Sequence, residues 1–136
     1  MTFSLDTNVL IDLLNRRHLG LRIRYDSEFV GGAQMVIPAL AAHEVIYGAL
    51  ISSDPERHVT AAQDLLRRHE VVDWSAADAL AAARLRLDLR RRGETIGSVD
   101  TFIAGQALNR SWTLVTANTR EFSRVEGLQV EDWTKG

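Results

Sequence analysis

Three carboxylates stand out by the company they keep. Asp6 follows directly on the short β-type run Thr2–Leu5. Glu44 sits in ALAAHEVIYGALI, whose only polar members are His43, Glu44 and Tyr47. Asp100 lies in SVDTFIAGQAL, which is otherwise free of charge. Each acid has an ordinary reading. Asp6 caps a helix by accepting from an orphan N–H, Glu44 pairs internally with one of many arginines, and Asp100 complements a helix N-terminus. At helical spacing Glu44 shares its face with Leu40, Tyr47 and Ile51, and a carboxylate in an apolar stripe is costly unless paired or metal-bound. Meeting at one place, the three acids repel unless a cation joins them. Oxygen-only ligands suit a hard ion such as Mg²⁺ or Mn²⁺. Such an ion activates water and clamps a phosphodiester for in-line displacement.

The surrounding pattern says where these acids fall. Short β-type runs alternate with longer helical ones: Thr2–Leu5, Met35–Ile37, Glu70–Asp73, Trp112–Val115 and a weaker Leu128–Val130. Between the first two runs lie a helical stripe of Val9, Leu10, Leu13 and Leu14 and a second helix over Leu21–Val30. Pro38 opens the helix Ala39–Ile51, and Ser52–Pro55 starts another that runs to His69. Ser75 caps a helix reaching Arg92, with Ala76, Leu80, Ala83 and Leu87 as its core face, and Ser98 caps one reaching Asn109. This alternation predicts an α/β fold, a mostly parallel central sheet with helices on both faces. Ligands in such sheets bind outside the carboxyl ends of the strands, which is where the acids stand.

Composition narrows the class. At roughly 150 residues per domain, 136 residues make one domain over 1–136. Hydrophobic residues at 46% and charged residues at 25% are globular values that exclude a disordered chain. No apolar run reaches the length of a membrane span, and MTFSLDTN lacks the basic start of a signal peptide. The expectation is a cytoplasmic protein without a membrane partner. Zero cysteines exclude disulfides, thiolate catalysis and sulfur-based zinc sites, and histidines 18, 43, 58 and 69 show no ligand spacing. The net charge of −2 does not announce a nucleic-acid partner. The basic residues are fifteen Arg and a single Lys, Lys135. Residues 84–92, RLRLDLRRR, carry a local net charge of +4, read either as a solvated face with an Arg–Asp pair or as a phosphate-contacting surface. Trp74, Trp112 and Trp133 read as packing.

At the acids the chain resembles the PIN-domain ribonucleases, and among them the VapC-type toxins of bacterial toxin–antitoxin pairs. The resemblance is carried by LDTNVLIDLL at Leu5–Leu14, HEVIYGA around Glu44, IGSVDTFIAGQAL around Asp100 and LVTANTREFSRVEGLQVEDW at Leu114–Trp133. It spans essentially the whole chain in order. It implies a PIN-like three-layer sandwich, a Mg²⁺ or Mn²⁺ site, hydrolytic cleavage of RNA, a homodimer and neutralisation by a cognate antitoxin whose segment enters the acidic groove. Asp6, Glu44 and Asp100 match the family's acidic positions. A fourth acid often follows the fourth strand. Here the chain departs from the family: Asn118, not an acid, stands in that region and Glu121 lies one helical turn later, so Glu121 is the candidate for the fourth catalytic and metal-binding residue, with Asn118, a neutral polar contact, as the alternative. Thr7 and Asn8 match the opening triplet, with a local backbone-bonding role.

Two rival classes also place an Asp after a first parallel strand. A receiver-type signalling domain needs an internal lysine, which is missing, and a haloacid-dehalogenase-type phosphatase needs a second Asp where Asn8 stands. The remaining alternative is a PIN-like binding or regulatory protein with an incomplete, inactive metal site.

Overall fold

The structure, a computed structural model, describes residues 1–135. Five strands alternate with seven helices: β1 (Thr2–Leu5), α1 (Thr7–Leu14), α2 (Leu19–Val30), β2 (Gln34–Pro38), α3 (Ala39–Leu50), α4 (Pro55–Leu66), β3 (Glu70–Val72), α5 (Ala76–Arg91), α6 (Ser98–Arg110), β4 (Thr113–Val115), α7 (Thr119–Phe122) and β5 (Gln129–Glu131). All four pairings are parallel, in the order β3-β2-β1-β4-β5. Each parallel pair needs a crossover, and right-handed crossovers lay helices on both sheet faces. α1, α3 and α4 pack together, as do α5 and α6. The sheet interior is closed by Leu5, Ile37 and Leu114, none with exposed surface. Leu10 seals it from α1 and Ile103 from α6. Edge-on packing of Trp133 against Phe3, at 5.0 Å between ring centroids, fastens the C-terminal segment to β1.

The chain leaves β1 towards β2 and β3, then returns to β4 on the other side of β1. The switch in direction therefore falls between β1 and β4, and the backbone joins the two strand ends there: Asp6 N–H donates to the Val115 carbonyl at 3.2 Å. A crevice at a switch point is where doubly wound sheets bind ligands.

The structure corrects the expectation for α5. Ser75 caps it with a full capping box alongside Asp78, but Ala76, Leu80, Ala83 and Leu87 are exposed. The buried residues are Asp78, Ala82, Leu85 and Leu89, on the opposite side. Both faces are apolar enough to qualify, and the approach of α6 selects one. A Cβ on Gly105 would lie 2.6 Å from the Ala82 Cα, so only glycine permits so close a crossing. Asp78 is drawn inside by polar partners. It accepts from Gln106 Nε2 at 3.0 Å, Asn109 Nδ2 at 2.9 Å and the Arg110 guanidinium at 3.0 and 3.1 Å. The Asp88 of the basic segment pairs with Arg92 at 2.8 Å, leaving Arg84, Arg86, Arg90 and Arg91 exposed.

Candidate functional site

Asp6 is the N-cap of α1: extended backbone turns its carboxylate onto the helix start, where Oδ1 accepts from Val9 N–H at 2.9 Å. Capping and crevice-facing are one geometry here, because the cap lies at the carboxyl end of β1. The residue is 4% exposed. Burial pushes its pKa up to about 6, and the charges of Asp100 and Asp12 push the same way. The Thr116 side chain and the Val9 amide oppose the rise. Thr116 is fully buried at the end of β4, and its hydroxyl also accepts from Asn118 N–H at 3.0 Å.

Glu44 lies in the second turn of α3, half-buried. The apolar stripe expected around it is not a buried face: Tyr47 is 56% and Ile51 67% exposed. Ala41, Ala42, Val45 and Ala49 form the buried side of the helix instead, because small residues let α3 lie close on its neighbours. No arginine pairs with Glu44 among the described residues. Its partner is Thr7, whose hydroxyl donates to Oε1 at 2.8 Å. Thr7 thus acts across the site on a distant carboxylate, where sequence reasoning gave it only a local backbone role.

Asp100 stands in the first turn of α6, half-buried. The N-cap is Gly97, not Ser98, and no side chain caps the helix. Burial raises the Asp100 pKa, followed by the charges of Glu121 and of Glu44. Asp100 is therefore the electrostatic hub, within reach of Asp6 on one side and of Glu44 and Glu121 on others. Glu121 belongs to the short α7, and its Oε2 accepts from Asn118 Nδ2 at 3.1 Å. Asn118 and Glu121, three residues apart on one turn, share a face, and the amide orients the carboxylate.

The donor set consists of carboxylate oxygens with hydroxyl and amide supports, which fits a hard divalent cation. The carboxylates stand apart, and among the described residues no three His, Asp or Glu converge into a closed cage. Like charges in a half-buried space repel one another in the absence of an ion. Two of the supports, Thr116 and the cross-site role of Thr7, escaped sequence reasoning. The one available signal was a hydroxyl residue beside a strand end, in LDTN and in LVTAN. The histidines have other partners: His18 lies beside Asp12, His43 stacks on Tyr47, His58 bonds Ser52 and His69 bonds Tyr25.

Comparison with known proteins gives the family. The PIN domain family matches residues 4–128. A tRNA(fMet)-specific endonuclease VapC from Shigella flexneri is 37% identical over 98% of this chain and 99% of its own length. Ribonuclease VapC2 from Haemophilus influenzae is 32% identical, with 98% of each chain covered. The crystal structure of DNA-bound VapBC from Salmonella typhimurium superposes with a TM-score of 0.90 at 34% identity, covering 98% of both chains.

Proposed function

Because the chain belongs to the PIN-domain family, we propose that it is an endoribonuclease toxin of the VapC kind, hydrolysing RNA phosphodiester bonds and held inactive by a cognate antitoxin. The observation that carries the reading is the set of four acids at the β1/β4 switch point, with Asp100 raised by burial and by the charges of Glu121 and Glu44. Carboxylates that repel one another at a strand-end crevice are suited to gathering round a cation.

Asp6, Glu44, Asp100 and Glu121 would hold Mg²⁺ or Mn²⁺. Once bound, the ion supplies a water of lowered pKa and neutralises charge on the phosphodiester. The chain itself does the positioning. Thr7 fixes one oxygen of Glu44, Thr116 steadies Asp6 and Asn118 steadies Glu121. Val115 and Asp6, joined through the backbone, keep the two strand ends in register beneath the carboxylates.

The similarity to a tRNA(fMet)-specific endonuclease makes initiator tRNA the first RNA to test. Cleavage should require Mg²⁺ or Mn²⁺, stop in EDTA and disappear in Asp100→Asn. Full cleavage in excess EDTA, with contaminating nuclease excluded, rejects the metal assignment. A homodimer belongs to the same proposal, supported by apolar side chains left exposed on α3 (Tyr47, Leu50) and α5 (Leu80, Leu87). Sedimentation velocity decides it. No helix of the described residues is long and apolar enough to cross a membrane.

A further inference from the structure

Two arginines near the carboxylates stand where local physics disfavours them. Arg16 follows the C-cap of α1 with φ 55°, the left-handed position that helix ends reserve for glycine. The bonds there are those of a glycine-type stop: Arg17 N–H donates to the Asp12 carbonyl at 2.9 Å and Arg16 N–H to the Leu13 carbonyl at 3.3 Å. A long side chain in that conformation is strained. Arg57 lies in the first turn of α4, beside the N-cap Asp54, where the helix dipole repels a cation. Neither guanidinium has an ion-pair partner among the described residues. Both line one groove of about 690 Å³, which reaches Glu44 and is floored by Leu14, Val45 and Ala49. Two violations of local preference that converge on one groove, contiguous with a carboxylate of the site, point to a function.

We propose that Arg16 and Arg57 form a subsite for backbone phosphates of the RNA, next to the phosphodiester held at the carboxylates, with a nucleobase lying on the apolar floor. The inference rests on the ribonuclease reading above. Charge complementarity selects the occupant: a strand with a phosphate at the carboxylates carries its next phosphates a nucleotide away. Unpaired guanidinium groups on the wall of a groove that also contains Glu44 suit phosphate oxygens. The planar face of a base matches a floor of small and aliphatic side chains.

The test uses an initiator tRNA transcript with Mg²⁺ present and Asp100→Asn as the background, so that a phosphate can be held at the carboxylates while binding is read without cleavage, over salt from about 50 to 200 mM. Losing one phosphate contact should reduce the slope of log Kd against log salt by about 0.7–0.9, equivalent to a five- to eightfold weaker Kd at about 0.1 M salt. Both Arg16→Gly and Arg57→Gln should show this. Arg16→Gly should at the same time raise Tm by about 3–5 °C, since glycine relieves the left-handed position; weaker binding then cannot come from misfolding. A raised Tm with unchanged Kd and slope makes Arg16 a structural residue and overturns the inference. Unchanged RNA binding together with a weakened grip on a co-expressed antitoxin gives the groove to a peptide and also overturns it. A wild type that neither binds nor cleaves the RNA overturns the ribonuclease reading itself, and this inference with it.

Discussion

The hydroxyl of Thr7, the first residue of α1, donates a 2.8 Å hydrogen bond to Oε1 of Glu44 on α3, thirty-seven positions along the chain. The bond spans the crevice and fixes one oxygen of a carboxylate that has no cationic partner among the described residues. The remaining lone pairs of Glu44 stay available to an ion. Thr7→Val keeps the shape and removes the donor. Supports of this kind are worth about 10–100-fold in metal affinity or activity, so the variant should lose activity in that range with little change in melting temperature. Thr7→Ser, which restores a hydroxyl, should recover most of it. Wild-type activity in Thr7→Val reduces the bond to packing.

On the proposed reading, Glu121 stands in for the acid that Asn118 does not supply. Glu121→Gln preserves the hydrogen bond from Asn118 while removing the charge felt by Asp100. The Mn²⁺ concentration for half-maximal activity should rise by about tenfold, with Asp6→Asn and Asp100→Asn more severe. A metal titration curve that overlays wild type reduces the site to Asp6, Glu44 and Asp100.

Asp6 makes the metal-free fold sensitive to pH. Its pKa is raised from 3.8 to about 6, so the native state holds its proton more tightly than the unfolded chain. Ionising Asp6 therefore costs the native state stability, which falls as pH climbs from about 4 to 6 and is level above that. Asp6→Asn removes the cost and retains a capping side chain. In EDTA at neutral pH the variant should be more stable by about 1–3 kcal/mol, and the gain should vanish below about pH 4. Urea denaturation at both pH values measures it, and a destabilised Asp6→Asn at neutral pH contradicts the burial argument.

Asp78 behaves in the opposite way, far from the crevice. Burial alone would raise its pKa, but bonds from Arg110, the Ser75 amide, Asn109 and Gln106 hold the carboxyl well below the usual range. Its stabilisation is complete above about pH 4, the unfolded value, and is lost as acid protonates the native group. Asp78→Asn should cost about 2–3 kcal/mol at neutral pH and flatten the stability profile below about pH 4. Equal acid sensitivity in variant and wild type assigns the acid loss to other carboxylates.

Much of the arrangement was legible in the chain itself because it is local. A β-type run of four residues followed at once by Asp6 places a carboxylate at a strand end, whatever the rest of the fold does. Alternating periodicities require parallel crossovers, and parallel crossovers align the strand ends on one edge. The acids at Asp6, Glu44 and Asp100 could thus be read as neighbours from order alone. Tertiary structure decided what periodicity leaves degenerate. α5 has two apolar faces, and the missing side chain at Gly105 brought Ala82 inward and left Leu80 and Leu87 in solvent. The partner of Glu44 is a hydroxyl from another helix, not an arginine, because α1 and α3 pack side by side at the crevice. The glycine-type turn imposed on Arg16 shows only in its dihedral angle and the backbone bonds around it. Spacing along a chain constrains which residues share a face. Which face is covered, and by what, depends on the closest approach of backbones that lie far apart in sequence.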